Sequence, residues 1–266
     1  MSTKLGVIGG GMMGEALLSR LIADQVYLAD EIWVSDPLLQ RREFLAQHYG
    51  VRHTSDNQAI AAEAETLLLA IKPQVFDQVV AELSQRSSQQ VVISILAGVP
   101  LARLEKAFPE QPVVRAMPNT PATVGAGITA IAPGQHAQAS HLQIAQRIFA
   151  AVGEVVEIAE SAMDAVTGLS GSGPGFVAVM IEALIDGGVA AGLSRATATK
   201  LALQTVRGTA ELLQSTGMHP AELKDRVTSP GGTTIAGIAR LEQAGFRSAV
   251  IEAVRTAYSR SQELGQ

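Results

Sequence analysis

Lys4-Leu5-Gly6-Val7-Ile8-Gly9-Gly10-Gly11-Met12-Met13-Gly14 is the stretch whose reading decides the fold. Leu5, Val7 and Ile8 form a short apolar strand, and the residues from Glu15 to Ile22 carry a helical pattern. Between them Gly9, Gly11 and Gly14 stand in G-x-G-x-x-G spacing. In that context Gly9 permits the tight turn, Gly11 the close approach of backbone to a pyrophosphate, and Gly14 the close packing of helix on strand. The N-terminus of the helix then faces the phosphates of a dinucleotide.

Working outward, Ile32 to Ser35 is a second strand. Asp36 at its end lies about 20 residues past the glycines, where an acid bonds the adenosine ribose 2′-OH. That points to NADH. Ser35 can bond a 2′-phosphate, and Arg41 and Arg42 follow where they can neutralise it, so NADPH stays open. The plainer alternative is that Asp36 and Pro37 start a turn and cap a helix. A short strand near Val51 comes next, with Asn57 capping a brief helix. The continuous apolar runs Thr66 to Ile71 and Val91 to Leu96 have the composition of strands buried on both faces. Lys72-Pro73 ends the first run and Ala97-Gly98 the second, at the sheet edge where such folds bind ligands. Val113 to Met117 runs into the turn-rich Pro118-Asn119-Thr120-Pro121. Strands at Gly127 to Ala132 and Glu154 to Ile158 flank a helix from about Ala137 to Ala151.

Alternating strands and helices predict a doubly wound, mostly parallel sheet, and strand signals vanish after Asp164. The spacing predicts helices at Phe176 to Ala191, Arg195 to Gln214, Pro220 to Val227, Thr234 to Ala244 and Ser248 to Leu264, with a glycine-rich turn at Gly168 to Gly175. A boundary near Glu160 follows: a Rossmann-like dinucleotide-binding domain at 1–160 and an all-helical substrate-binding and dimerisation domain at 161–266.

The chain has 266 residues, 17% charged and 47% hydrophobic, with a net charge of −5 and no basic run, which argues against nucleic-acid binding. Without cysteine there is no disulfide, thiolate metal site or thiol nucleophile, and the five histidines show no metal-ligand spacing. The start of the chain is a poor signal peptide. Glu182, Asp186 and paired glycines make Phe176 to Leu193 a soluble core helix rather than a membrane span. The expectation is a soluble, cytoplasmic protein.

Ser229-Pro230-Gly231-Gly232-Thr233-Thr234-Ile235 breaks the chain and then opens a helix. The backbone N–H groups of Gly232, Thr233 and Thr234 are expected to be free to take a carboxylate, with the threonine hydroxyls beside them. The alternative is an ordinary glycine turn with a threonine cap.

Three longer motifs carry a resemblance to a known family. They are Asp164 to Pro174, Asp186-Gly187-Gly188-Val189, and Leu223-Lys224-Asp225-Arg226-Val227-Thr228 running into Ser229 to Thr234. With Ala70-Ile71-Lys72-Pro73, Ala97-Gly98-Val99 and Pro118 to Pro121, they resemble pyrroline-5-carboxylate reductase over essentially the whole chain. The resemblance implies reduction of 1-pyrroline-5-carboxylate to L-proline by NADPH or NADH, the last step of proline biosynthesis. It also implies homodimers, or decamers of five dimers, with interlocked C-terminal helices. By position, Gly9, Gly11, Met12, Met13 and Gly14 hold the pyrophosphate end. Ser35, Asp36 and Asn57 contact the adenosine half, and Ala70, Lys72, Pro73 and Ala97 the rest. Glu160, Asn119 and Gly232 to Thr234 fall on the substrate pocket, with Thr234 the catalytic or substrate-orienting residue. Asp36 departs from relatives that carry a small hydroxyl residue there.

Two other readings compete. A β-hydroxyacid dehydrogenase needs a general acid/base, and Gly168 to Gly175 offers no lysine where that likeness would place one. A dinucleotide-binding regulator would bind cofactor without turnover.

Overall fold

The computed structural model describes residues 3–84 and 87–265. Its packing separates two compact units, Met1–Ser172 with Thr256–Gln266, and Gly173–Arg255.

The first unit is built on an eight-stranded sheet. Its strands are β1 (Leu5–Ile8), β2 (Ile32–Ser35), β3 (Arg52–Thr54), β4 (Thr66–Leu69), β5 (Val91–Ser94), β6 (Val113–Met117), β7 (Gly127–Pro133) and β8 (Gly153–Glu157). Their order across the sheet is β3-β2-β1-β4-β5-β6-β7-β8, parallel throughout except for the antiparallel β6–β7 pair. The predicted mostly parallel sheet is therefore the observed one. The order reverses direction between β1 and β4, the switch point at which such sheets open a ligand crevice.

Strands β1, β4 and β5 are buried along their whole length, which is why they read as unbroken apolar runs. Helices α1 (Met12–Ala23), α2 (Leu39–Tyr49), α3 (Asn57–Glu63), α4 (Phe76–Glu82), α5 (Leu101–Ala107) and α6 (Ala139–Ala150) connect them. One face of the sheet packs on Leu17, Leu21, Leu45, Ile148 and Phe149, the other on Ile60, Phe76, Leu104 and Phe108. The cap of α3 is Asp56, whose Oδ1 accepts the Ala59 N–H at 3.1 Å, and not Asn57, which is the first helical residue. Both types cap well, and the chain brings the acid into the non-helical position.

The expected turn at Gly168 to Gly175 is helical instead. Helix α7 (Met163–Val166) passes into a π-helical turn at Thr167–Gly171, and the second unit opens with α8 (Gly173–Ala190). Glycine serves contact here rather than turning, since a Cβ on Gly171 would lie 2.9 Å from the Met117 methyl. The segment from Thr256 completes the first unit. Ser261 is buried and donates to Asp164 Oδ1 at 2.7 Å, and Gly98, at φ +74°, lies against the Leu264 carbonyl.

The second unit contains α8, α9 (Arg195–Thr216), α10 (Pro220–Arg226), α11 (Thr233–Gln243) and the first part of α12 (Phe246–Leu264). Helices α8 and α9 meet through small residues, with Gly188 facing the methyl of buried Ala198. The predicted core helix α8 is not buried within its own chain: Val179 is 67% and Leu184 49% exposed. Glu160–Ala190 is long and apolar enough to cross a membrane by length and composition. An apolar groove of about 740 Å³ runs between Val177, Val179 and Met180 of α8 and Phe246, Val250 and Ile251 of α12.

Candidate functional site

The glycine loop does what its spacing requires. Gly9 adopts φ +104°, and a Cβ there would strike the Ala70 carbonyl at 2.5 Å. Its N–H donates to Ser35 O at 2.8 Å, while the Ala70 N–H donates to Ile8 O at the same distance, so the loop is pinned to the strand on either side. A Cβ on Gly14 would lie 2.4 Å from Gly9 O, the close helix-to-strand contact expected of the third glycine. Gly11 caps α1 at φ −66° and ψ −172°, and a Cβ there meets nothing within 4 Å. Open space therefore faces a helix N-terminus whose first N–H groups have no intrahelical acceptor and which carries roughly half a positive charge. That cradle fits the pyrophosphate of a dinucleotide. Met12, 71% exposed, and half-buried Met13 stand at its lip.

The end of β2 lies beside the loop. Asp36 accepts the Gly10 N–H on Oδ2 at 3.0 Å and the Leu38 N–H on Oδ1 at 2.9 Å, so it both braces the glycine loop and starts the turn into α2. Ser35 is buried and donates to Asn57 Oδ1, while Asn57 Nδ2 donates to Glu82 Oε2 at 2.6 Å. The structure thus brings Ser35 and Asn57 together at the end of β2. The two arginines are committed elsewhere than the sequence suggests: Arg41 pairs with Glu15, and Arg42 donates to the Asp36 carbonyl at 2.7 Å. Lys72 and Ala97 are exposed and Ala70 and Pro73 half-buried, all just past the carboxyl ends of β4 and β5.

Asn119 and Glu160 also belong to this unit, and each braces its neighbours. Asn119 Nδ2 donates to Ser170 O at 3.2 Å and its Oδ1 accepts the Ile128 N–H at 3.0 Å. Glu160 Oε1 accepts from the N–H of Leu101 and from Arg115 Nη1 at 3.0 Å. The Arg115 side chain is only 8% exposed. It is a buried partner of Glu160 that the sequence reading passed over, and its signal was a charge inside an otherwise apolar strand. Glu15 and Tyr49 were missed as well. Burial pushes the Glu15 carboxyl up, but the hydrogen bonds from Arg41 and Tyr49 outweigh it and hold the group below its ordinary value. Burial first, then the bond to Glu15, pushes the Tyr49 hydroxyl up.

In the second unit Gly231, at φ +69°, turns the chain into α11, and Gly232 rather than a threonine is the cap, with no side-chain cap bond. The Gly232 N–H is not free as expected. It donates to Ser229 O at 3.0 Å because the turn folds back on itself. The first-turn N–H groups of Thr233 and Thr234 have no intrahelical acceptor, and both threonine side chains are exposed.

A family model described as pyrroline-5-carboxylate reductase dimerisation matches residues 160–264, and one described as NADP oxidoreductase, coenzyme F420-dependent, matches residues 4–98. A pyrroline-5-carboxylate reductase from Synechocystis is 61% identical over 100% of both chains. Among solved structures, a pyrroline-5-carboxylate reductase from Coxiella burnetii matches with a TM-score of 0.91 and 34% identity, covering 100% of each chain. The Plasmodium falciparum enzyme, solved with NADP bound, matches at 0.90 and 31%, covering 99% of this chain and 98% of that one.

Proposed function

The chain belongs to the pyrroline-5-carboxylate reductase family and reduces 1-pyrroline-5-carboxylate to L-proline with NADPH or NADH, the last step of proline biosynthesis; on that premise we propose how its residues divide the work. The observation that carries the function is 61% identity along the whole of a curated relative, on a chain whose glycine loop is shaped for a dinucleotide. The test is loss of reduced-nicotinamide absorbance when purified protein meets pyrroline-5-carboxylate. No oxidation of either cofactor by folded, cofactor-binding protein would refute it.

When bound, the nicotinamide supplies the hydride. Gly9, Gly11, Met12, Met13 and Gly14 seat the pyrophosphate, Ser35, Asp36 and Asn57 line the adenosine half, and Ala70, Lys72, Pro73 and Ala97 form the wall along the strand ends. The N–H groups of Thr233 and Thr234 hold the substrate carboxylate at the start of α11, with Gly232 permitting the turn. The Thr234 hydroxyl orients the imine nitrogen. A threonine is too weak an acid to protonate it, so the proton arrives with the substrate or from water. Asn119 and Glu160 are the first unit's candidates for contact with the substrate, Glu160 held by its pairing with buried Arg115.

We assign the dinucleotide-binding domain to 1–160 and the substrate-binding and dimerisation domain to 161–266, a division supported by the family match from residue 160, while by packing alone 161–172 and the segment from Thr256 stay with the first unit. The chain is an oligomer. The exposed apolar groove between α8 and α12 fits a second copy, which supports a homodimer, with a decamer of five dimers as the larger form. A second copy on this face would cover it with protein rather than lipid, and with that we assign the enzyme to the cytoplasm. Light scattering that found a monomer at working concentration would overturn the dimer.

A further inference from the structure

Gly10 is gripped from both sides by the segment that follows β2. Its N–H is taken by the Asp36 carboxylate, and its carbonyl accepts from Arg41 Nε. Arg41 is neutralised in turn by Glu15 Oε2, whose second oxygen accepts the Tyr49 hydroxyl at 2.8 Å, and its guanidinium lies over the Phe44 ring at 5.1 Å. Arg42 points into the turn, with Nη1 on the carbonyls of Asp36 and Pro37 at 2.7 and 3.1 Å.

We infer that this grip on Gly10 makes the enzyme select NADH over NADPH, with Asp36 facing the adenosine ribose and Glu15 as the positioning residue that withholds Arg41 from a 2′-phosphate. The inference rests on the reductase reading. Two carboxylates, Asp36 and Glu15, stand against two guanidiniums, Arg41 and Arg42, so their formal charges cancel. A 2′-phosphate brings a charge of about −1.5 to −2 beside Asp36, while Arg41 is held by Glu15 and Arg42 by the carbonyls of Asp36 and Pro37. A ribose hydroxyl instead donates to the carboxylate. The hydrogen bonds from Arg41 and Tyr49 hold the Glu15 carboxyl below its ordinary value, which keeps the pair with Arg41 ionised. The grip also fixes the Gly10 peptide, next to the Gly11 cap from which the pyrophosphate is held.

The experiment measures kcat/KM for NADPH and NADH, and by calorimetry Kd for NADP+ and NAD+, in wild type, Asp36→Ser and Glu15→Gln. Wild type is expected to favour NADH and NAD+. Asp36→Ser should raise the NADPH/NADH ratio about tenfold, the equivalent of one charge-assisted hydrogen bond. Glu15→Gln should raise it roughly three- to tenfold, mainly through KM, by freeing Arg41 for the phosphate. A merely structural Glu15 would weaken both cofactors alike and leave the ratio where it was. Wild-type preference for NADPH, or a ratio unmoved in both variants, overturns the inference. Movement in Asp36→Ser alone removes Glu15 from it. Loss of turnover with intact cofactor binding would count against the reductase reading instead, since the Kd ratio still decides cofactor choice.

Discussion

Replacing Gly14 with alanine separates the two tasks of the glycine loop, and Gly11→Ala is its counterpart. An alanine Cβ at Gly14 would sit 2.4 Å from the Gly9 carbonyl oxygen, whereas ordinary contact begins at 3.4 Å, so α1 must retreat by about 1 Å. Gly9 cannot yield, because its N–H is bonded to Ser35 and Ala70 crowds it from the other side. Overpacking of this kind costs about 1–3 kcal/mol, which for a chain of this size lowers Tm by roughly 2–12 °C. The same retreat carries the first N–H groups of α1 away from the pyrophosphate, and a 1 Å misplacement costs on the order of 10²-fold in kcat/KM. Gly11→Ala behaves differently. Its Cβ clashes with nothing and its φ of −66° suits alanine, so the loss is at most a weaker helix cap, about 1 kcal/mol or less. Yet that methyl stands where the pyrophosphate must come, so cofactor affinity collapses while Tm barely moves. Differential scanning fluorimetry with calorimetric titration of NAD(P)+ reads both. Wild-type Tm and affinity in Gly14→Ala would refute the packing argument, and wild-type affinity in Gly11→Ala would refute the placement of the pyrophosphate.

Three further outcomes are expected. Thr234→Ala should lower kcat by on the order of 10²-fold, the usual loss for one transition-state hydrogen-bond donor, while cofactor Kd by fluorescence stays as in wild type. Near-normal turnover would remove Thr234 from the mechanism. Glu160→Ala leaves the buried Arg115 guanidinium without its carboxylate; because Glu160 itself is a third exposed, the cost should be about 1–3 kcal/mol in urea unfolding, below the 3–5 of a fully buried pair. Unchanged stability would show that solvent already serves Arg115. The Glu15 carboxyl titrates below its usual 4.5 in the folded chain, so its contribution to stability is complete above that value and fades as pH falls through the depressed one. Glu15→Gln should therefore flatten the acid limb of a Tm–pH curve, and an identical limb would contradict the pairing.

Much of the first unit is legible in the sequence because its strands are buried on both faces and cannot hide polar residues. The glycine loop is legible for a related reason, since each of its three spaced glycines answers a separate steric demand. Strand ends are less so: the apolar run to Ile71 outlasts β4, which stops at Leu69 where the chain leaves the ladder for the loop at Lys72. The stretch at Gly168 to Gly175 misleads because glycine marks both turns and close contacts, and only the Met117 side chain above Gly171 tells them apart. The fate of Arg41 and Arg42 is invisible for a different reason. Glu15 and Tyr49 stand 26 and 8 residues from Arg41, and no local pattern joins them before the sheet brings α1 and α2 side by side. The helices after Gly173 are predictable one by one, but not that α8 leaves its apolar side uncovered within its own chain, since periodicity reports amphipathy and not the identity of the covering surface.

The segment from Thr256 belongs to the first unit although Gly173–Arg255 is made between them. On the ribosome the dinucleotide half is thus synthesised early yet lacks a closing piece until the entire helical half has emerged. Ser261 has then still to reach Asp164, and Leu264 the Gly98 turn. Removal of the segment from Thr256, far in sequence from the glycine loop, should register first as a weakened nucleotide fold.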